Sequence, residues 1–264
     1  MPTEPALRWW SVLLLAIQFL TRVPIGRSLD QLTPEQVRSG LGRAVIWFPV
    51  VGGFIGGATA SIILSCELLW PRIVAVVIAL IVEARLTGAF HEDAVADFCD
   101  GFGGAYGAER IYEIMKDSRI GTYGTLALIL AVGLRAALLA TLPSIMVLPA
   151  IIASAATGRW LAVLAMALIP PFGHATGLAK DIGQKIGLKP AALATVMLMP
   201  FLILLATQAL TALIAGIAVS LIFLLWFKRL VMTKLGGVTG DCLGFMVYVG
   251  QLIILASATA SWPI

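Results

Sequence analysis

Charged residues are scarce in this sequence, and apolar residues dominate it. Asp, Glu, Lys and Arg make up 12% of the 264 residues, and hydrophobic residues make up 60%. Soluble domains carry about 25% charged residues, so this chain has too few polar side chains to coat its apolar helices in water. Several apolar runs reach the roughly 20 residues that cross a bilayer. The composition therefore predicts an all-α, polytopic membrane protein with one domain over residues 1–264.

Cysteine is also rare, and the three cysteines show no metal-binding spacing. Cys66, Cys99 and Cys242 form no CxxC or Cys/His pattern, which argues against a disulfide framework and a thiolate metal site. Lysine and arginine exceed the acids by four, yet no basic stripe interleaved with aromatic residues marks a nucleic-acid surface. We assign the excess positive charge to cytoplasmic loops and lipid headgroups, and expect no nucleic-acid partner.

Seven apolar runs predict about seven transmembrane helices. They lie near residues 45–69, 73–90, 121–142, 145–169, 191–208, 210–227 and 241–262. An earlier run, Trp9–Leu20, has only 12 residues, which is short for a hydrocarbon core of about 30 Å. It opens with two tryptophans, as interfacial anchors do. We therefore expect an interfacial or re-entrant helix there.

Lysine and arginine alternate between the connections that join these runs. Successive links contain four, one, three, none, three, none and three such residues, and this alternation is typical of a chain whose richer loops are cytoplasmic. Four loops are thereby predicted to be cytoplasmic: 21–44, 91–120, 170–190 and 228–240. The C-terminus is predicted to lie outside. Two polar segments, 91–100 and 236–244, then share one face of the membrane.

Half of the acids fall in one short segment. Seven of the 14 lie between Glu92 and Asp117. Within "FHEDAVADFCDGFGG", three aspartates stand at i, i+4 and i+7 on one helical face: Asp93, Asp97 and Asp100. No lysine or arginine in 86–109 offsets their repulsion. A divalent cation would do so, and oxygen ligands suit Mg²⁺ or Mn²⁺. The alternatives are a solvated acidic helix end and an ion path.

Two further segments carry polar groups that suit phosphate chemistry. The glycines after the aspartates would let backbone amides approach a phosphate; they are Gly101, Gly103 and Gly104. The segment "EIMKDSRIGTYG" adds Lys116 and Arg119, whose charges suit a pyrophosphate leaving group. In "GGVTGDCLG", Asp241 precedes the last apolar run, where it would serve either as a helix N-cap or as part of a site shared with the aspartates.

The three segments together resemble one enzyme family. "GAFHEDAVADFCDGFGG", "IMKDSRIGTYG" and "GGVTGDCLG" are similar to the motifs of the adenosylcobinamide-GDP ribazoletransferases, or cobalamin synthases. The similarity extends to "FLTRVPI" and "WFPVVGGFIGG". It implies Mg²⁺-dependent, integral enzymes of the bacterial inner membrane, which join α-ribazole or its 5′-phosphate to adenosylcobinamide-GDP and release GMP. It leaves open a homo-oligomer or an association with other cobalamin-assembly enzymes.

The resemblance and the chemistry together assign roles to individual residues. Magnesium ligands are expected at Asp93, Asp97 and Asp100. Catalytic groups are expected at Asp241, His91, Lys116 and Arg119. Substrate contacts are expected at Gly101, Gly103, Gly104, Asp117, Ser118, Thr239 and Gly240. The chain departs from the family pattern at Glu92, Ala94 and Gln251, but no motif aspartate is lost.

Two rival functions share parts of this pattern. A CDP-alcohol phosphotransferase of lipid synthesis also uses an aspartate-rich helix in a membrane, but its D-G-x-x-A-R signature is absent from this sequence. A cation transporter would place acids deep within membrane helices. Here only Glu67 and Glu83 lie within apolar runs.

Overall fold

The computed structural model describes residues 7–25, 29–30, 32–173 and 186–262. Ten α-helices account for most of them and confirm the all-α prediction. In chain order they are α1 (Trp9–Leu20), α2 (Pro34–Ala44), α3 (Phe48–Cys66), α4 (Arg72–Thr87), α5 (Phe90–Gly104), α6 (Ala108–Met115), α7 (Thr122–Thr141), α8 (Ser144–Leu168), α9 (Leu188–Lys234) and α10 (Gly240–Thr259). Part of the predicted 170–190 loop, with Lys180 and Lys185, lies outside the described residues.

Most of these helices are long and apolar enough to cross a membrane. Five described stretches meet that condition, and a sixth is reached if α4 and α5 count as one bent span. Helices α2 and α3 are joined by a 3₁₀ turn over Val45–Trp47 and form one of the five. Helix α1 matches the predicted 12-residue segment and is too short to be one of them. The chain is therefore a polytopic membrane protein.

Helix α9 is a hairpin rather than one straight rod. Ala209 breaks it with non-helical angles, φ −153° and ψ 73°. Residues near its two ends, such as Ala194 and Phe227, belong to one apolar cluster, whereas Leu205 and Leu213, on either side of the break, belong to another. The two limbs therefore return to the same end of the bundle. They match the two apolar runs that the sequence separates at position 209.

Helix α8 forms the buried centre of the bundle. Small residues let its neighbours approach closely, as is common between membrane helices. A Cβ on Gly52 of α3 would overlap the Ala155 carbonyl oxygen and the Arg159 side chain, and a Cβ on Gly250 of α10 would lie 3.0 Å from the Gly158 Cα atom. Helices α3 and α10 thus flank α8.

The chain bends by 86° between α4 and α5. Gly88 and Ala89 both have left-handed backbone angles there, with φ of 74° and 54°. Glycine adopts that conformation readily, whereas alanine does so at a cost. After the bend, α5 packs on both α7 and α10. The acidic helix thereby reaches the end of the bundle where α10 begins.

Candidate active site

The two polar segments that the sequence predicts on one face meet in the structure. Helix α10 packs so closely on α5 that a Cβ on Gly244 would overlap Ala94. At the start of α10, Asp241 accepts a hydrogen bond at 2.7 Å from the Nζ atom of Lys116, which follows α6. This ion pair joins residues 125 positions apart. It brings the second and third motifs into one site with the acidic helix.

An open cleft of about 660 Å³ lies beside this ion pair. Its polar walls are formed by Glu92, Asp93, Asp97, Lys116, Asp117, Ser118, Arg119 and Asp241. Carboxylates outnumber cations in this set by five to two, so the cleft has an excess of negative charge. Asp93 is exposed and Asp97 is half-buried. Both side chains are therefore accessible to a cation or a substrate that enters the cleft.

Asp241 does not cap α10. The N-cap is Thr239, whose hydroxyl accepts a hydrogen bond from the Cys242 amide at 3.3 Å. The interpretation of Asp241 as an N-cap is therefore wrong, since its carboxylate pairs with Lys116 instead. Thr239, which the sequence predicts to contact substrate, is buried, and its hydroxyl forms this cap. Gly240, the first residue of α10, lines a second cavity described below.

Asp100 occupies a different position from the other two aspartates of α5. It is 8% exposed, and its two carboxylate oxygens accept hydrogen bonds from the amides of Gly121 and Gly124 at 2.7 and 2.8 Å. Those amides lie at the N-terminus of α7, where an aspartate also interacts favourably with the helix dipole. The structure thus gives Asp100 a role in fixing α7. Its predicted metal contact stays a prediction.

The segment after α6 holds the charged groups of the second motif. Arg119 donates to Asp117 at 2.6 Å, and the guanidinium lowers the pKa of that carboxyl to about 2. Burial lowers the pKa of Lys116, but the hydrogen bond to Asp241 and the negative charges nearby, that of Asp241 above all, together outweigh burial and raise the pKa. The side chains of Lys116 and Arg119 therefore both stay positively charged at neutral pH. Arg119 and Ser118 are exposed at the cleft, so they can reach a phosphate there.

The glycines of the acidic segment lie in a helix rather than in a loop. Gly101, Gly103 and Gly104 belong to the last turns of α5. A Cβ on Gly101 would lie 2.7 Å from Met115 Cγ, and one on Gly103 would lie 2.9 Å from the Tyr123 ring. Their small size therefore allows close packing. The expected contacts of these glycines with phosphate stay predictions.

His91 lies beyond the ion pair, outside the acidic cleft. It is buried on α5 and lines a second cavity of about 220 Å³, whose walls also include Lys116 and Asp241. The ion pair thus borders both the acidic cleft and this second cavity. The histidine, expected to act as a catalytic base, lies on the more apolar side of the pair.

The number and placement of the carboxylates decide whether the site fits Mg²⁺. Among the described residues, no group of three or more His, Cys, Asp or Glu side chains lies close enough to hold a metal ion. Magnesium, however, is often held by one or two carboxylates together with substrate phosphates and water. Asp93 and Asp97 offer such carboxylates to the cleft. The residues therefore fit a magnesium ion that binds together with a phosphorylated substrate.

A buried charge network lies deeper in the bundle, and the sequence analysis missed it. Arg135 of α7 donates to Glu83 of α4 at 2.8 and 2.9 Å and to Gln251 of α10 at 3.2 Å. Thr59 also donates to Glu83 at 2.6 Å. Arg159 of α8 is fully buried nearby. Single arginines within apolar runs were the available signal, because such charges in a membrane are costly unless they have a role.

Comparison with known proteins places the whole chain in one family. The cobalamin-5-phosphate synthase family model matches residues 12–259. An adenosylcobinamide-GDP ribazoletransferase of Leptospira interrogans is 34% identical over 265 aligned positions, with 96% of each chain covered. The Polaromonas sp. (strain JS666) protein of that name is 39% identical, with 88% of this chain and 90% of its own covered.

A third relative of the same name, from Shewanella amazonensis, is 35% identical and covers 94% of this chain and 95% of its own. No solved structure matches the chain. The matched region contains all three motifs and nearly every helix described above. The chain therefore belongs to the cobalamin-5-phosphate synthase family.

Proposed function

We propose that this chain transfers the adenosylcobinamide phosphate group from adenosylcobinamide-GDP to α-ribazole or its 5′-phosphate and releases GMP. Membership of the family supports the assembly of the cobalamin nucleotide loop, and the relatives' names supply the donor and the ribazole acceptor. The observation that carries the proposal is the Lys116–Asp241 ion pair beside the acidic cleft. It places a cation and a carboxylate where donor and acceptor would meet.

The cleft suits the donor's pyrophosphate. Phosphoryl transfer depends mainly on positioning and on neutralising charge. Asp93 and Asp97 would hold Mg²⁺, which when bound offsets negative charge on the pyrophosphate. Lys116 and Arg119 would offset the charge that develops on the departing GMP phosphate. Arg119 must then leave Asp117, and an exposed pair of this kind is weak enough to exchange.

Asp241 has two candidate roles in the transfer. As a base, its carboxylate would accept the proton of the attacking ribose hydroxyl, while oxygen bonds to phosphorus and the GMP oxygen leaves. As a further metal ligand, it would instead help to hold the donor. Lys116 keeps the carboxylate at the junction of the two cavities in either case. His91, on the wall of the second cavity, is the other candidate base.

The rival functions fit these contacts less well. A transporter needs ionisable groups that are free to bind ions within the membrane. Glu83, the most buried acid among the described residues, instead accepts hydrogen bonds from Arg135 and Thr59. A CDP-alcohol phosphotransferase would share the acidic helix, but its D-G-x-x-A-R signature is absent from this chain, and the family model that matches residues 12–259 is that of the cobalamin-5-phosphate synthases.

Purified protein in detergent micelles provides the test. With Mg²⁺, adenosylcobinamide-GDP and either α-ribazole or its 5′-phosphate, we expect GMP to appear in step with the cobalamin product. Omission of the acceptor or chelation of Mg²⁺ should stop GMP release. A CDP-lipid with a free alcohol serves as the control donor. Release of CMP from that lipid, without GMP from the corrinoid donor, would replace the proposal by the lipid enzyme.

We also propose that the protein resides in the bacterial inner membrane with the cleft on the cytoplasmic face. The alternation of lysine and arginine between loops supports this orientation. In a variant without native cysteines, Tyr106→Cys and Thr233→Cys should be labelled only from the cytoplasm. Both sites are exposed at the cleft end, Tyr106 by 95%. Leu68→Cys, 84% exposed at the opposite end, should react only from outside; the reverse pattern would contradict the orientation.

A further inference from the structure

The second cavity is walled by five helices, and the Lys116–Asp241 ion pair borders one side of it. Its volume is about 220 Å³. Its apolar walls come from α1, α3, α5, α8 and α10, and its polar groups are His91, Arg159, Lys116 and Asp241. A molecule in this cavity would touch the reacting end of the site without entering the acidic cleft.

Arg159 gives this cavity an unsatisfied hydrogen-bond donor. Its side chain is fully buried. Nη1 donates to the Ala155 carbonyl at 3.0 Å, but Nε and Nη2 have no hydrogen-bond partner within the part of the chain that the structure describes. Burying such a group without a partner is costly. Arg135, the other buried arginine, pairs with Glu83, although its Nε also lacks a hydrogen-bond partner. Arg159 pairs with no carboxylate among the described residues, and its place on the cavity wall points to a ligand that accepts a hydrogen bond.

The walls specify the shape of that ligand. The rings of Phe19 and Phe48 stack 5.6 Å apart with an interplanar angle of 4°, and Phe90 meets Phe19 edge-on at 5.7 Å. Aromatic walls of this kind favour a flat ring. The volume is below the roughly 300–1,000 Å³ of pockets for drug-sized ligands. It therefore suits one fused ring system and is too small for a corrin macrocycle.

We propose that this cavity holds the heterocyclic base of the acceptor nucleoside, and that a ring nitrogen of the base accepts a hydrogen bond from Arg159. The inference rests on the proposed function, in which the acceptor is a ribazole, a riboside of a benzimidazole. Such a base is apolar except for one unsubstituted ring nitrogen. With the base in the cavity, the attached ribose extends to the Lys116–Asp241 pair, where its hydroxyl is to react.

The chemistry of the walls favours this base over the guanine of the donor. Guanine presents N–H donors as well as acceptors along one edge. Asp241 is the one carboxylate among the cavity's described lining residues, and Lys116 already engages it. His91 could accept from only one guanine N–H, so guanine in this cavity would still leave donors unpaired, which costs binding energy. A benzimidazole leaves no donor unpaired.

Calorimetric titration of the full-length protein in detergent tests the proposal, with α-ribazole as the probe in the presence and absence of GDP. Arg159→Met should weaken α-ribazole binding about 10- to 100-fold, the scale of a hydrogen bond to a charged group. The riboside of an indole, with C–H in place of the ring nitrogen, should bind wild type as weakly as α-ribazole binds the variant. Arg159→Met should not weaken the indole compound further.

Two phenylalanine variants provide a second measurement if Arg159→Met fails to fold. Phe90→Ala removes one cavity wall and should weaken α-ribazole binding about 3- to 10-fold, the scale of one aromatic contact. Phe54→Ala is the matched control, because Phe54 is 73% exposed on α3 and does not line the cavity; it should change nothing. Equal effects of the two variants would overturn the proposal.

Three other results separate this inference from the proposed function. If Arg159→Met weakens GDP binding and leaves α-ribazole binding intact, the cavity holds the donor's base and the inference is wrong. If wild type does not bind α-ribazole under either condition, the inference is also wrong. If α-ribazole binds with the expected dependence on Arg159 but no GMP is released in the transfer assay, the binding site stands and the proposed reaction fails.

Discussion

Asp97→Asn is expected to lower the rate of GMP release at limiting Mg²⁺ by at least about 1,000-fold, because a metal-held charge contributes several kcal/mol to a transfer of this kind. The substitution removes one ionisable carboxyl group from the cleft and keeps the size of the side chain. Asp97 is half-buried beside Asp93, so the protein should fold normally. Initial rates across a Mg²⁺ titration provide the measurement. A wild-type rate at limiting Mg²⁺ would rule out a metal role for Asp97.

Asp100→Asn is the matched control on the same helix. Asp100 uses both oxygens to accept amide hydrogen bonds at the start of α7, and asparagine supplies only one acceptor oxygen. We expect a loss of about 1–3 kcal/mol in the free energy of unfolding, as for a buried donor that loses its partner. The two variants should therefore differ in kind: Asp97→Asn loses rate, and Asp100→Asn loses stability.

Asp241→Asn is expected to lower kcat by at least about 100-fold, the scale for a positioned acid–base group. The carboxylate pairs with Lys116 and does not cap α10. Because Lys116 is half-exposed, loss of the ion pair should cost less than about 1 kcal/mol of stability. Rate and melting temperature on one preparation provide the measurement. A normal rate would leave catalysis to the 91–119 segment alone.

Thr239→Ala is the stability control for that experiment. Thr239 caps α10 through its hydroxyl, so its loss should cost about 1 kcal/mol. A drop in melting temperature for Thr239→Ala together with an unchanged value for Asp241→Asn would separate the two neighbouring residues as the structure does. The reverse result would indicate that Asp241, and not Thr239, caps α10.

Local patterns of hydrophobicity and charge were sufficient to predict most helices and the meeting of the motifs. Apolar runs located the spans, including the break at position 209, because each run needs the length of a bilayer. The i, i+4, i+7 spacing correctly predicted a helix over the aspartates. The lysine and arginine counts put the second and third motifs together, and the Lys116–Asp241 contact confirms that they meet.

Contacts between distant helices could not be read from the sequence. Asp100 accepts hydrogen bonds from the amides of Gly121 and Gly124 because α5 and α7 meet there, and a shared helical face could not predict this contact. The packing of α6 on Gly101 and of Tyr123 on Gly103 could not be predicted from the sequence either. Arg159 stands alone in an apolar run, but its contacts depend on a cavity built by five helices.

The proposed reaction depends most on Lys116 and Asp241 working as one catalytic unit. A double-mutant cycle on the kcat for GMP release measures this directly, with Lys116→Met, Asp241→Asn and the double variant. Losses at residues that act together are not additive. We predict that the double variant is no slower than the slower single variant, within about threefold. Single losses that multiply in the double variant would show that the two residues act independently, and would contradict a single site built across α6 and α10.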